Sequence, residues 1–227
     1  MMKQKQSGFT LIEIAIVLVI IGLLLGGVLK GQELINSAKV KNLATDFRNI
    51  PVFIYGYQDK YKALPGDDSK ATSHLSGCGT TYPDCANGDG NGTIGGSWDG
   101  ATIALGGEAQ LFWLDVRLAG LAPGATSNLT DYRPTNSEGG AIGIQSNSGF
   151  TTITKNAAGN ASAMAGTYVI CSKGIPGKYV KQLDTTMDDG DTDTGSMRVT
   201  DNAGTTGQSI ATANIVDGTT YIVCMGV

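Results

Sequence analysis

From Phe9 to Leu29 the chain runs for 21 residues with one charge, Glu13. At 1.5 Å rise per residue a helix of that length covers ~32 Å, about one bilayer core. Lys3 and Lys5 precede it, which predicts a cytoplasmic N-terminus and export of everything after Lys30. An ordinary secretory signal has a shorter apolar core, ~7–15 residues, followed by a small-residue cleavage site. Here the run is longer, and Leu34-Ile35-Asn36-Ser37-Ala38 matches such a site poorly. A plain membrane anchor accounts for the length but not for the carboxylate. A charge at mid-bilayer costs ~2.5–3.5 kcal/mol on insertion scales, less near an end, so Glu13 is a functional candidate.

The junction reads Gly8-Phe9-Thr10-Leu11-Ile12-Glu13, a short basic leader ending in Gly and then an unbroken apolar run. It resembles the class III signal sequence of type IV pilins and type II secretion pseudopilins. The resemblance implies a leader over 1–8, a transmembrane and filament-core helix over 9–29, an amphipathic half of the same helix over 30–62, and a globular pilin domain over 63–227. It implies cleavage by a prepilin peptidase between Gly8 and Phe9, with N-methylation of Phe9. Glu13 then lies about one helical turn from the new terminus. In a filament it pairs with the Phe9 ammonium of a neighbouring subunit, which sets register because a desolvated carboxylate without a partner is costly. Losing Lys3 and Lys5 lowers Lys plus Arg from 16 to 14 against 20 Asp plus Glu, so the net charge moves from −4 to −6. That acidic balance argues against a nucleic-acid-binding surface.

About 200 residues remain after the anchor, enough for one compact domain with its own core. Gly is 33 of 227 residues, about twice the usual frequency, and charged residues are 16% against a usual ~25%. Such a composition leans towards loops and strands and is too weakly charged for disorder. Exported chains favour disulfides, and four Cys permit three pairings. The favoured set joins Cys78 with Cys85 across a short loop. It joins Cys171 with Cys224 between two similar apolar strands, Tyr168-Val-Ile-Cys and Tyr221-Ile-Val-Cys. Neither pair has the Cys-x-x-Cys spacing of zinc or thioredoxin-like sites.

Beyond Lys30 the pattern becomes amphipathic. Leu34, Val40, Leu43, Phe47, Ile50, Ile54, Tyr57 and Tyr61 recur at three- and four-residue steps, which predicts one helix to about Tyr61, kinked at Pro51. Gly22, Gly26, Gly27 and Gly31 weaken it near the outer membrane face, each by up to ~1 kcal/mol relative to Ala. Leu64-Pro65-Gly66 ends it. A second helix is expected over Glu108–Ala119 and a third from Pro176 through Leu183. Strands are expected around Ala141–Gln145, Phe150–Thr154, Thr167–Cys171, Ser196–Thr200 and Thr220–Cys224.

Two loops collect oxygen-bearing side chains. Within the pilin class, Leu64-Pro65-Gly66-Asp67-Asp68 resembles a subgroup with a Gly-rich acidic loop downstream. In Asn87-Gly-Asp89-Gly-Asn91-Gly-Thr93-Ile94 the side chains of Asn87, Asp89, Asn91 and Thr93 alternate as in the first eight positions of a calcium-binding EF-hand loop. The bidentate Glu of that pattern would fall at Trp98; Asp99 and Glu108 are the nearby substitutes. The second loop, Met187 to Gly195, holds the densest acids, whose repulsion calls for a cation or full solvation. It resembles the calcium loop of major pseudopilins in placement, with Asp184, Asp188, Asp189, Asp191 and Asp193 as ligands. Calcium stands against a solvated turn at both loops.

The single histidine, His74, is expected as a solvated loop residue, and one His is a poor inventory for a hydrolytic triad or a zinc site. The expected fold is α+β, a long N-terminal helix packed on an antiparallel sheet. The expected role is that of a filament subunit, not an enzyme: held in the bacterial inner membrane, then extracted into a surface homopolymer by an assembly platform with an external ATPase. The alternatives are a type II secretion pseudopilin or minor pilin, and, more distantly, a membrane-anchored calcium-dependent binding domain. No required cofactor is expected.

Overall fold

The structure is a computed structural model in which residues 11–102, 107–127, 130–204 and 207–227 are described. The leader and the Gly8–Phe9 bond lie outside the described residues. The chain divides into two compact units, Met1–Lys39 and Val40–Val227.

Helix α1 spans Leu11–Tyr61. Up to Leu29 its side chains are apolar on every side apart from Glu13, a stretch long and apolar enough to cross a membrane and exposed throughout. In the second unit its character changes. Val40, Leu43, Ala44, Phe47, Ile50, Ile54 and Tyr57 are buried, the stripe that three- and four-residue spacing requires. The helix continues through Pro51, whose ring removes one backbone donor. It stops where Lys62 turns left-handed (φ 57°) and donates its N–H to the Gln58 carbonyl at 2.9 Å.

The remaining elements are α2 (Ala71–His74), α3 (Glu108–Leu118), β1 (Ile142–Ser146), β2 (Tyr168–Pro176), α4 (Gly177–Met187), β3 (Met197–Asp201) and β4 (Thr220–Gly226). The four strands form one sheet in the order β1-β2-β4-β3, every neighbouring pair antiparallel. Both faces are covered. Ile142, Ile144, Ile170, Val223, Met225, Met197 and Val199 share a core with the α1 stripe, with Phe112 and Leu114 of α3, and with Val180 and Leu183 of α4. The alternate residues Val169, Cys171, Ile222 and Cys224 form a second core with Trp98, Phe150, Ile153 and Met164. This is the α+β, pilin-like organisation expected from the sequence.

Both disulfides form as expected, Cys78–Cys85 and Cys171–Cys224. The second pair lies directly opposite in the β2–β4 register. One expected strand is absent. Phe150–Thr154 is irregular and follows a short 3-10 turn, Asn147–Gly149. Its buried residues are Phe150 and Ile153, three apart, so the segment lies over the second core instead of alternating on a ladder. The amides of Thr154 and Lys155 both donate to the Gly207 carbonyl. β2 also runs five residues past its expected end, interrupted by an irregularity between Ser172 and Ile175.

The sequence separations are 7 for Cys78–Cys85 and 53 for Cys171–Cys224. On the loop-closure estimate, losing the short bridge costs about 2 kcal/mol and losing the long one about 4 kcal/mol. Urea unfolding of the Cys78→Ala/Cys85→Ala and Cys171→Ala/Cys224→Ala proteins measures both. Equal losses would show that loop length does not set the difference.

Candidate functional site

Glu13 sits in the first described turn of α1 with its side chain exposed. Further along, Lys30 and Glu33 form an exposed i,i+3 pair at 2.7 Å, of small energetic weight.

The first oxygen-rich loop is gripped by carboxylates from outside it. The Asp67 Oδ1 accepts the Asn91 N–H at 3.0 Å, and Oδ2 the Gly92 N–H at 2.8 Å. From α3, Glu108 accepts the Asp89 N–H at 3.0 Å and the Gly95 N–H at 2.7 Å. The loop lies so close to the 64–68 turn that a Cβ on Gly88 would meet the Gly66 carbonyl at 2.4 Å. Gly66 itself has φ +86°, and a side chain there would strike the Glu108 carbonyl at 2.3 Å. One carboxylate oxygen each from Asp67, Asp89 and Glu108 therefore converge within 4.8 Å of one another. Oxygens on opposite sides of a calcium ion stand about 4.8 Å apart at a ~2.4 Å bond length, so this donor set fits a hard cation. Burial raises the Asp67 pKa, and Asp89 adds to the rise against the opposing Gly92, Asn91 and Gly90 amides.

The sequence-predicted ligands divide here. Asp89 joins the cluster. Asn87 accepts from the Thr72 N–H at 2.9 Å and the Thr72 hydroxyl at 3.0 Å, so it holds α2. Asn91 accepts from the N–H and hydroxyl of Thr93 within the loop. Trp98, at the EF-hand position for the bidentate Glu, is buried in the second core. Asp67 was not among the ligands expected from the sequence; the signal for it was its place in Leu-Pro-Gly-Asp-Asp, ahead of the loop it grips.

The second acidic loop joins α4 to β3. Its carboxylates are largely occupied by protein donors. Asp188 accepts the Met197 N–H at 2.7 Å and the Ser196 hydroxyl at 3.2 Å. Asp189 accepts the Asp191 N–H at 2.9 Å and the Thr194 hydroxyl at 2.7 Å, and these hold its pKa down. Asp191 takes the Thr212 hydroxyl at 3.1 Å, and Asp193 takes the Ala157 N–H at 2.6 Å and the Ser209 hydroxyl. Asp184 differs: both of its oxygens are buried, and neither receives a well-aligned hydrogen bond, the Gly190 N–H being only a weak neighbour. Burial lifts its pKa to about 7; the Gly190 N–H opposes the rise, and the charges of Asp188, Asp189 and Asp191 add to it.

His74 departs from the expected solvated loop. It closes α2, with Nδ1 at 2.6 Å from Asp68 Oδ2 and its ring stacked on Tyr61 at 5.2 Å. The Tyr57 hydroxyl donates to the same oxygen at 2.9 Å. The reason is the buried Asp68 carboxylate, which needs donors and draws them from α1 and α2. Beside it, Asp115 of α3 accepts the Gly66 N–H at 2.7 Å. Burial raises the Asp115 pKa to about 8, the Gly66 N–H opposing and the Asp68 charge adding.

Residues 3–29 match the family model of the prokaryotic N-terminal methylation motif. That motif is the signature of type IV pilins and pseudopilins, and it marks a structural protein that is anchored in a membrane before assembly and handled by a prepilin peptidase and pilus-type machinery. No curated protein and no solved structure matches the chain significantly.

An acid whose folded pKa lies above its unfolded value stabilises below the unfolded pKa and loses that stabilisation as pH rises through the folded one. Asp115 at about 8, Asp184 at about 7 and Asp46 at about 6 all act in this direction, from ordinary values of 3.8. The melting temperature in the absence of divalent cations should therefore fall between pH 5 and pH 9. Asp115→Asn should flatten the upper part of that fall; an undiminished slope would remove Asp115 from the account.

Proposed function

We propose that this chain is a structural subunit of a type IV pilus-like filament, cut between Gly8 and Phe9, N-methylated at Phe9 and assembled through α1. The observation that carries the reading is the methylation motif lying on a helix whose stretch up to Leu29 is apolar on every side and holds one acid, Glu13, near its start. Before assembly the segment resides in the inner membrane. Afterwards it forms the filament core, where Glu13 meets the Phe9 ammonium of the next subunit. Partners on this reading are further copies of the chain, the prepilin peptidase, and a platform driven by an external ATPase.

Calcium belongs to the same proposal as a structural ion. Asp67, Asp89 and Glu108 would hold it, where it would neutralise three acids and tie the 64–68 turn, the 87–95 loop and the start of α3 together. The α4–β3 loop is the lesser candidate, because among the described residues only Asp67, Asp89 and Glu108 bring three carboxylate oxygens within 4.8 Å of one another.

Mass analysis of sheared filaments and washed membranes tests the main reading. A product starting at methylated Phe9, abundant in the sheared fraction, is the expected result. The same product confined to membranes would instead favour a type II secretion pseudopilin or a minor pilin, and an uncut chain would refute processing altogether. Glu13→Ala should abolish assembly. For calcium, saturation at 100 times Kd stabilises by about 2.7 kcal/mol. That corresponds to a rise in Tm of about 5–10 °C for a domain of this size, lost in Asp89→Asn. A Tm indifferent to calcium and to chelator would rule the ion out at both loops.

A further inference from the structure

The second unit contains an apolar cleft of about 140 Å³ between the outer half of α1, α3 and the start of β1. Its floor is Ile50, Phe53, Trp113 and Ile142, and two charged residues, Asp46 and Arg117, line it as well. These two charges do not pair with each other. Asp46 makes no hydrogen bond or ion pair among the described residues, and burial pushes its pKa up to about 6. Arg117 uses one terminal nitrogen on the Ala125 carbonyl, and burial lowers its pKa. Both are half-buried, and among the described residues neither forms an ion pair, although the charge of Asp131 acts on Arg117 from a distance and opposes the effect of burial. A cleft of this size, apolar at its floor, accommodates up to a benzene-sized group.

At a different place on the same unit stands a matching projection. Among the described residues beyond α1, Val216 is the one exposed large hydrophobic, at 60%. It is held rigidly. Its neighbour Ile215 is buried, its N–H donates to the Tyr221 hydroxyl at 2.9 Å, and its carbonyl accepts the Thr219 N–H at 3.1 Å in a tight turn. Gly177 packs against the Val216 carbonyl, where a Cβ would come within 2.2 Å. Next to Val216 is an acid–base pair, Asp217 with Lys181 at 3.1 Å, both solvent-exposed enough to be weak by themselves.

We infer that Val216 of one copy seats in the Ile50–Phe53–Trp113–Ile142 cleft of the next, with Lys181 facing Asp46 and Asp217 facing Arg117. The partner is a second copy of this chain. Three observations favour that occupant: the isopropyl group is smaller than the cleft, the projection is preorganised, and the charges on the two surfaces are complementary in sign. The surfaces differ, so the contact is head-to-tail, and a head-to-tail contact whose rotation does not close propagates as a helical filament. The inference rests on the assembly reading above and adds to it a contact outside the apolar segment of α1.

The test is the amount of full-length protein recovered in sheared filaments, beside its level and melting temperature in membranes. Val216→Glu changes only an exposed side chain, so folding should be retained while filament yield falls at least 10-fold; Val216→Ile should assemble. Asp46→Lys and Lys181→Glu should each reduce yield, and the Asp46→Lys/Lys181→Glu protein should recover it. Normal filament yield from Val216→Glu, or a double variant no better than its singles, overturns this contact while leaving the assembly reading intact. Absence of filaments from the unaltered chain overturns both.

Discussion

The contact on which the second unit depends is that between the outer half of α1 and the inner face of the sheet. Val40, Leu43, Phe47, Ile50, Ile54 and Tyr57 are all at most 2% exposed, and each faces the core shared with β1–β4. Burial of side chains of this size contributes roughly 1.5–3 kcal/mol apiece. A four-stranded sheet of 5, 9, 5 and 7 residues has little surface of its own to bury. The helix supplies the missing wall, with α3 and α4 beside it. Among the described residues no α-helix contributes to the core on the opposite face. Irregular chain around Trp98, Phe150 and Ile153 covers it, and the Cys171–Cys224 bridge lies beneath.

Such a domain has many loop amides and few ladders to satisfy them, and its acids meet the need. Asp67 and Glu108 take amides of the 89–95 loop, Asp115 takes Gly66, Asp188 takes Met197 and Asp193 takes Ala157. Charge-assisted bonds of this kind are stronger than neutral ones. The consequence is a surface with acids committed to structure and few cations to balance them. Where three such acids converge, at Asp67, Asp89 and Glu108, their repulsion and their hydrogen bonds compete, and a divalent ion would relieve the first without breaking the second.

Much of this was visible in the sequence where one periodicity ruled. The change of α1 from all-round apolar to striped, the ends of α3 and the start of α4, both cysteine pairs and three of the strands follow from spacing and punctuation. The failures have a common cause, which is contact between segments distant in sequence. Phe150–Thr154 has strand composition, but its backbone finds Gly207 in place of a neighbouring strand. His74 looks like a loop residue until Asp68 and Tyr61 are placed beside it. Reading the 87–94 loop as a local ligand series put all four donors on one short segment. The fold instead draws two of the three converging carboxylates, Asp67 and Glu108, from either side of it.

In the assembly proposed above, leaving the membrane brings α1 no hydrophobic gain, because lipid tails are as apolar as the side chains of Leu11 to Leu29. Burial of that segment therefore favours membrane and filament alike. The balance must be tipped by terms that differ between the two. One is the carboxylate of Glu13, costly in hydrocarbon and relieved by an ammonium. Another is side-chain packing between apolar helices. The third is contact between second units, which is absent while subunits are dispersed in the membrane and present once they stack. On the contact inferred above, that third term comes from the cleft between α1, α3 and β1 and from the projecting Val216, which gives the decorated domain a part in assembly beside that of the helix.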